Sequence, residues 1–166
     1  MLYLLFSPFL LQALLIIFDE GFYHIRRGLP RWERIGHPVD TFSFVACLCL
    51  VQSIPYSTQG LIWFVILSIL SCLLITKDEF IHKHHCPASE QWVHAVMFIN
   101  HPVMLASLGV LWYASSGASH SHLISLAIQD KKVVSLFLKT QTIFTVAFMI
   151  YQIIFWNFIW QEKKNK

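Results

Sequence analysis

The 166-residue chain is 56% hydrophobic and only 13% charged, with a formal net charge of +3. A typical soluble domain carries roughly 25% charged residues, so this chain has too few polar groups to coat a water-facing surface. Lipid is the expected solvent, in keeping with a mean hydropathy of +0.58. The small, dispersed positive charge offers no nucleic-acid surface. Four cysteines form neither a disulfide framework nor a pair of Cys-x-x-Cys motifs.

In chain order, apolar runs at Leu2–Phe18, Thr41–Ile54, Leu61–Thr76, Gln91–Ala114 and Thr140–Trp160 predict about five spanning helices. The expected fold is an all-α integral membrane protein, organised as a single transmembrane domain. The first run lacks a basic leader or a small-residue cleavage site, so it reads as a retained span. The second is short for a bilayer unless it begins near Pro38 and tilts. It stops at Ile54-Pro55-Tyr56, a break followed by an interfacial anchor. Pro102 within the fourth run is tolerated in a membrane helix. Residues 115–139 fit either a surface amphipathic helix or an extension of the last span.

Basic residues orient the chain. Arg26, Arg27, Arg31 and Arg34 follow the first run, Lys77 and Lys83 the third, and Lys163, Lys164 and Lys166 the fifth. The turn between the second and third runs has no charge. These basic segments fall on one side, expected to be the cytoplasm of a bacterial inner membrane, with the N-terminus outside.

The two basic connections share a pattern. Glu20 matches Asp78, Phe22 matches Phe80 and His24 matches His82. After a one-residue shift, Pro30 matches Pro87, Glu33 matches Glu90 and His37 matches His94. Each connection thus reads acid-x-x-x-His, a loop with proline, then Glu-x-x-x-His. On a helix, residues four apart lie on one face, so each acid sits one turn from its histidine. Two repeated hairpins (about 1–54 and 61–114) would then form a four-helix bundle, with a fifth helix at about 140–160. Such a bundle aims one acid and one histidine from each of four helices at a common centre. In plan this resembles the carboxylate-bridged di-iron and di-manganese bundles, which use Glu-x-x-His; Glu79 and His82 offer that spacing too.

Seven of the nine acids and seven of the nine histidines fall in or beside these connections, counting His101. Ionisable groups at membrane depth are costly and normally partnered. The expected metal ligands are Glu20, His24, Glu33, His37, Asp78, Glu79, His82, Glu90 and His94. Asp19, Tyr23, Asp40, Cys86, His101 and Arg34 are expected as supporting or substrate-contacting residues. Carboxylate and imidazole donors suit two divalent ions, iron first, with manganese or zinc as alternatives.

The leading expectation is a di-iron oxidoreductase acting on a membrane lipid or lipid-soluble substrate, supplied by a redox partner. Its alternatives are a zinc-dependent membrane hydrolase and a non-enzymatic metal-binding, haem-binding or transport protein. His82-Lys83-His84-His85 resembles the histidine boxes of membrane desaturases and hydroxylases, though its spacing and the abundant carboxylates differ from them. The basic connections generate a first prediction. A reporter fused after Lys166 should score as cytoplasmic, and one placed in the Ile54–Gly60 turn as external; the reverse pattern would overturn the topology.

Overall fold

The computed structural model describes residues 2–77, 86–116 and 131–160, and every regular element among them is helical. Five helices are long and apolar enough to cross a membrane: α1 (Leu2–Arg27), α2 (Arg31–Ser53), α3 (Thr58–Thr76), α4 (Ala88–Ser115) and α5 (Lys131–Ile159). Four helices extend well beyond their apolar runs. The first continues to Arg27, and the second begins at Arg31 and passes through Pro38. The fourth starts at Ala88 and the fifth at Lys131, so residues 131–139 extend the last helix. Hydropathy marks where a helix is apolar. Backbone hydrogen bonding carries it on through polar turns, where Asp19, Glu20, Glu33 and Glu90 are buried while Arg26, Arg31 and Lys131 stay exposed.

Helix α1 packs along α4, while α2 packs along both α5 and α3, and α4 also meets α2 and α3. The inner helices α2 and α4 supply most of the core, including Cys47, Leu48, Leu108 and Leu111, with Val134 from α5. The outward surface carries large apolar side chains such as Leu4, Leu10, Ile69, Leu73 and Ile99. That pattern is what a lipid solvent favours.

Polar stitches cross the apolar interior. Asn100 Nδ2 donates to the Pro8 carbonyl (2.8 Å) and to Gln12 Oε1 (2.9 Å), joining α4 to α1. Ser71 on α3 hydrogen-bonds with Ser43 of α2 (2.7 Å) and with His101 Nε2 of α4 (2.9 Å). Gln52 Nε2 donates to Thr142 Oγ1 (2.7 Å), and Thr41 Oγ1 to Gln152 Oε1 (2.9 Å), fastening α2 to α5. Interhelical hydrogen bonds of this kind average about 0.6 kcal/mol in membranes, so they align the helices more than they bind them. Pro8 cannot donate to the Leu4 carbonyl; the Ser7 hydroxyl does so instead, at 2.9 Å.

The two ends of the bundle are closed differently. At one, Trp112 Nε1 donates to the Ile54 carbonyl (3.0 Å), pinning the α2–α3 turn. A Cβ at Gly60 would meet the Trp112 ring at 3.0 Å, so a larger residue there would push the ring aside by a few tenths of an ångström. At the other end, Gly28 takes a left-handed φ of 76° and its N–H caps the His24 carbonyl (2.8 Å). The chain then turns through Leu29 and Pro30, and Arg34 Nε braces the Leu29 carbonyl at 2.6 Å. This tight turn sets the end of α1 beside the start of α2.

The packing yields a second prediction. Leu108 is fully buried and Leu73 faces outward. In detergent, Leu108→Ala should destabilise by about 2 kcal/mol, the low end for core leucines because unfolded segments stay in an apolar solvent. Leu73→Ala should leave the melting temperature unchanged. Equal effects of the two changes would contradict this packing.

Candidate metal centre

The acids and histidines gather at the end of the bundle that holds the α1–α2 turn. Their placement on α1 depends on a local departure from α-helical geometry. Residues Asp19–His24 form a π-helical turn. In an α-helix, at about 100° per residue, positions five apart point about 140° away from each other. A π turn bonds i to i+5 and brings such positions back onto one face. Asp19 and Glu20 therefore both reach His24. Glu20 Oε2 accepts from His24 Nδ1 at 2.9 Å, while Asp19 Oδ2 lies 3.1 Å from His24 Nε2.

Helix α4 supplies the facing half. His94 Nε2 lies 3.2 Å from the same Asp19 Oδ2, and Glu90 Oε1 lies 3.8 Å from His24 Nε2. One donor atom from each of Asp19, His24, Glu90 and His94 falls within 4.8 Å of the others, and all four residues are buried. A second group, His24, Glu33 and His37, satisfies the same spacing from α1 and α2. His37 stacks on His24 with ring centroids 5.1 Å apart, and its Nε2 is 4.0 Å from Glu33 Oε2.

Two further groups hold this assembly. Arg27 Nη2 donates to Glu33 Oε2 (2.8 Å) and to Glu90 Oε1 (2.9 Å), and Arg27 Nε also donates to Glu90 Oε1 (3.0 Å). Both carboxylates are fully buried, and the guanidinium fork holds them together. On the other flank, Glu20 Oε1 accepts from Trp156 Nε1 (2.7 Å) and from the Tyr151 hydroxyl (2.9 Å) of α5. Those two donors are five residues apart, and α5 passes into a π turn, Phe155–Ile159, between them.

Burial makes the electrostatics demanding. Asp19, Glu20, Glu33 and Glu90 converge with Arg27 as the guanidinium among them, so carboxylates outnumber it four to one. Uncompensated charge buried in a protein interior is strongly unfavourable. The Glu20 carboxylate accepts from Nδ1 of His24, so in the neutral imidazole the Nε2 lone pair faces Asp19 and Glu90. Acceptor then faces acceptor. His24 Nε2, Asp19 Oδ1 and Glu90 Oε2 are buried and make no hydrogen bond among the described residues. A cation beside His24 Nε2, like a proton there, relieves that opposition, and an imidazole whose Nδ1–H is held by a carboxylate is the usual form of a metal-ligating histidine.

The expected ligands Glu20, His24, Glu33, His37, Glu90 and His94 are brought together. Glu20 takes the outer position, holding His24 rather than joining either the four-residue or the three-residue group. Asp78, Glu79 and His82 lie outside the described residues. Among the expected supporting residues, Asp19 sits at the centre, between His24 and His94. Cys86 is buried against Glu90, and burial pushes its thiol up to about 12, so it remains a neutral neighbour at ordinary pH. Asp40 pairs with Lys77 and lines the adjoining cavities. Tyr23 packs edge-on against Phe18 and Phe22 on the outer surface, Arg34 braces the turn, and His101 lies deeper, bonded to Ser71. None of these three joins the cluster. The residues that spacing alone missed are Arg27, Tyr151 and Trp156. Arg27 follows His24 by three positions on the same helical face, a readable signal; nothing local in the sequence ties α5 to Glu20.

A cavity of about 120 Å³ adjoins the cluster, with Asp19, His24, His37 and His94 on its polar side and Ile16 and Phe98 on its apolar side. Comparison with protein-family models, curated proteins and solved structures finds no match to this chain.

The Arg27 bridge carries a third prediction. Removing the guanidinium leaves two buried carboxylates facing each other, a loss worth about 3–5 kcal/mol for a buried pair. Arg27→Ala should lower the melting temperature sharply, and Arg27→Ala with Glu33→Gln should recover part of the loss. Parent-like melting of Arg27→Ala would show that the bridge contributes nothing.

Proposed function

We propose that this chain is a membrane-embedded metalloprotein whose centre is ligated by Asp19, His24, Glu90 and His94. A second ion would lie on the Glu33–His37 side. The observation that carries this reading is that four buried residues of α1 and α4, Asp19, His24, Glu90 and His94, each bring one ligand atom within 4.8 Å of the others, in a cluster where His24 Nε2, Asp19 Oδ1 and Glu90 Oε2 are buried without a hydrogen bond. The matched acid–histidine spacing of the two connections supports it. Each connection sends Glu-x-x-x-His to the same end of the bundle, as two related hairpins would.

The donor set is nitrogen and oxygen without thiolate, which suits iron, manganese or zinc. A pair of iron ions would activate dioxygen, with electrons drawn from a separate redox partner, and the reading is an oxidoreductase for a lipid or lipid-soluble substrate. The protein's own part is clear in physical terms. Glu20 fixes the His24 tautomer, Arg27 offsets the charge of Glu33 and Glu90, and the apolar surround excludes water from the centre. The basic connections favour an orientation with this end on the cytoplasmic face.

Protein purified in one detergent should carry about two equivalents of iron, the stoichiometry of a two-metal site, without a haem absorption band. Asp19→Ala and His94→Ala should lose metal and melt at lower temperature together, because binding energy at such a centre is partly folding energy. Glu20→Gln should weaken metal binding by roughly 10–100-fold through misplacement of His24. Parent-like metal content in Asp19→Ala and His94→Ala would overturn the reading. A single zinc per chain would redirect it to hydrolytic chemistry.

A further inference from the structure

The metal-centre cavity does not end at the cluster. It shares Gln12, Ile16, Asp40, Thr41, Ile75 and Phe148 with a larger cavity of about 360 Å³. The larger one runs inward past Phe44 and Met104 to Phe9. Its volume is more than twice the ~150 Å³ that accommodates a benzene in a protein core. Along α1 it extends from Phe9 to Ile17, about 12 Å of helix at 1.5 Å per residue. It is therefore elongated, parallel to the helices, and has the metal cluster at one end.

Its position between helices is equally informative. Helix α1 leans on α4 and α5 leans on α2, so α1 and α5 face each other across a cleft. They meet at its two ends. Far from the cluster, Phe137 stacks on Phe6 with centroids 3.9 Å apart and meets Phe9 edge-on at 5.2 Å. Near the cluster, Tyr151 and Trp156 hold Glu20. Between these closures the cleft is edged by Ala13 and Ile17 on one side and Phe144 and Thr145 on the other. Ile17 and Phe144 are 66% and 68% exposed, so the cleft opens sideways on the apolar surface of the bundle.

The polar side chains in its wall are committed to protein partners. Gln12 accepts from Asn100, Thr41 bonds Gln152, His101 bonds Ser71, Asp40 pairs with Lys77, and on α5 Gln141 Nε2 donates to Thr145 Oγ1 (3.4 Å), whose hydroxyl donates to the Gln141 carbonyl (2.7 Å). What remains for an occupant is apolar wall. The Asp40–Lys77 pair stands at the cluster end, where a charged headgroup would meet it.

We propose that the α1–α5 cleft holds one acyl or alkyl chain of a bilayer lipid, entering sideways, with its polar end at the His/carboxylate cluster and its methyl end at Phe9. The inference rests on the membrane-embedded metal-centre reading and specifies its substrate class. A soluble small molecule would need a water-facing mouth and free polar groups, whereas this cleft opens on the apolar flank. The geometry also orders the chain: carbons near the headgroup lie beside the metal ligands, and the terminal methyl lies at the aromatic closure.

The test uses the full-length protein in lipid nanodiscs with a long-chain fatty acid carrying a photoactivatable diazirine at mid-chain. After illumination, peptide mapping locates the label, and iron content is measured on the same samples. Label should concentrate on Ile16, Phe144, Thr145 and Phe148. Filling the cleft from either wall, with Ala13→Phe or Thr145→Phe, should reduce it by about tenfold or more, the scale on which an apolar pocket rejects a misfit. Iron content should stay at the parent level in both variants. Label spread evenly over outward residues such as Leu73 and Ile99, and unaffected by either substitution, would overturn the proposal. Label confined to the cleft of a metal-free parent protein would support the chain-binding site and overturn the metal reading alone.

Discussion

Burying carboxylates at one end of an apolar helical bundle imposes a condition that the surrounding residues must meet together. Glu33 and Glu90 have no exposed surface, and each gives an oxygen to the Arg27 guanidinium. Asp19 and Glu20 complete the group from α1, and Glu20 draws Tyr151 and Trp156 from α5. Helices α1, α2, α4 and α5 are thereby tied at one level. Elsewhere the contacts are dispersion packing and scattered weak hydrogen bonds, which tolerate sliding. The charged end requires donor and acceptor to meet within hydrogen-bond distance, so it selects one register.

The π turns serve that requirement. In a regular α-helix either Glu20 or Asp19 could face His24, but not both. The π turn at Asp19–His24 lets one carboxylate hold Nδ1 and the other approach Nε2, which separates the task of positioning the ring from that of sharing its ligand face. On α5, the passage into a π turn at Phe155 accompanies the convergence of Tyr151 and Trp156 on one oxygen of Glu20. Two irregular turns thus meet across a single carboxylate. Such turns sacrifice regular hydrogen bonding and recur at functional sites. Here each can be traced to a specific pair of side-chain contacts.

These particulars show which features the sequence makes legible. Apolar runs locate the five helices because hydropathy and helix length are local properties. Helix ends escape the same reasoning, since Arg31 and Glu33 lie in a helical turn despite their charge. The i,i+4 acid–histidine pairs are visible because regular helical spacing implies them, and the three among the described residues, Glu20–His24, Glu33–His37 and Glu90–His94, gather at one end. Asp19 at the centre is hidden by that same assumption, which places it on another face. Tyr151 and Trp156 are hidden for a different reason: they reach Glu20 across 131 and 136 residues of sequence. The faces leading inward through Asp40 and His101 are legible as faces, while their partners Lys77 and Ser71 come only from packing.

Matched positions in the two connections also do unlike work. Glu33 and Glu90 converge on Arg27, an arrangement close to the symmetry that their spacing suggests. Their histidines do not follow suit. His94 is buried against Asp19, beside the cavity, whereas the His37 side chain keeps 17% of its surface and stacks on His24. His24 offers a single Nε2 to both groups, and Glu20 already occupies Nδ1. The two groups therefore cannot be equivalent: whichever takes His24 gains an imidazole that the other lacks. Asp19 tips that competition, because it lies 3.1 Å from His24 Nε2 and 3.2 Å from His94 Nε2 and so draws both rings to the α1–α4 side. The matched spacing thus meets a one-sided packing. The side it favours is the one that adjoins the apolar cleft.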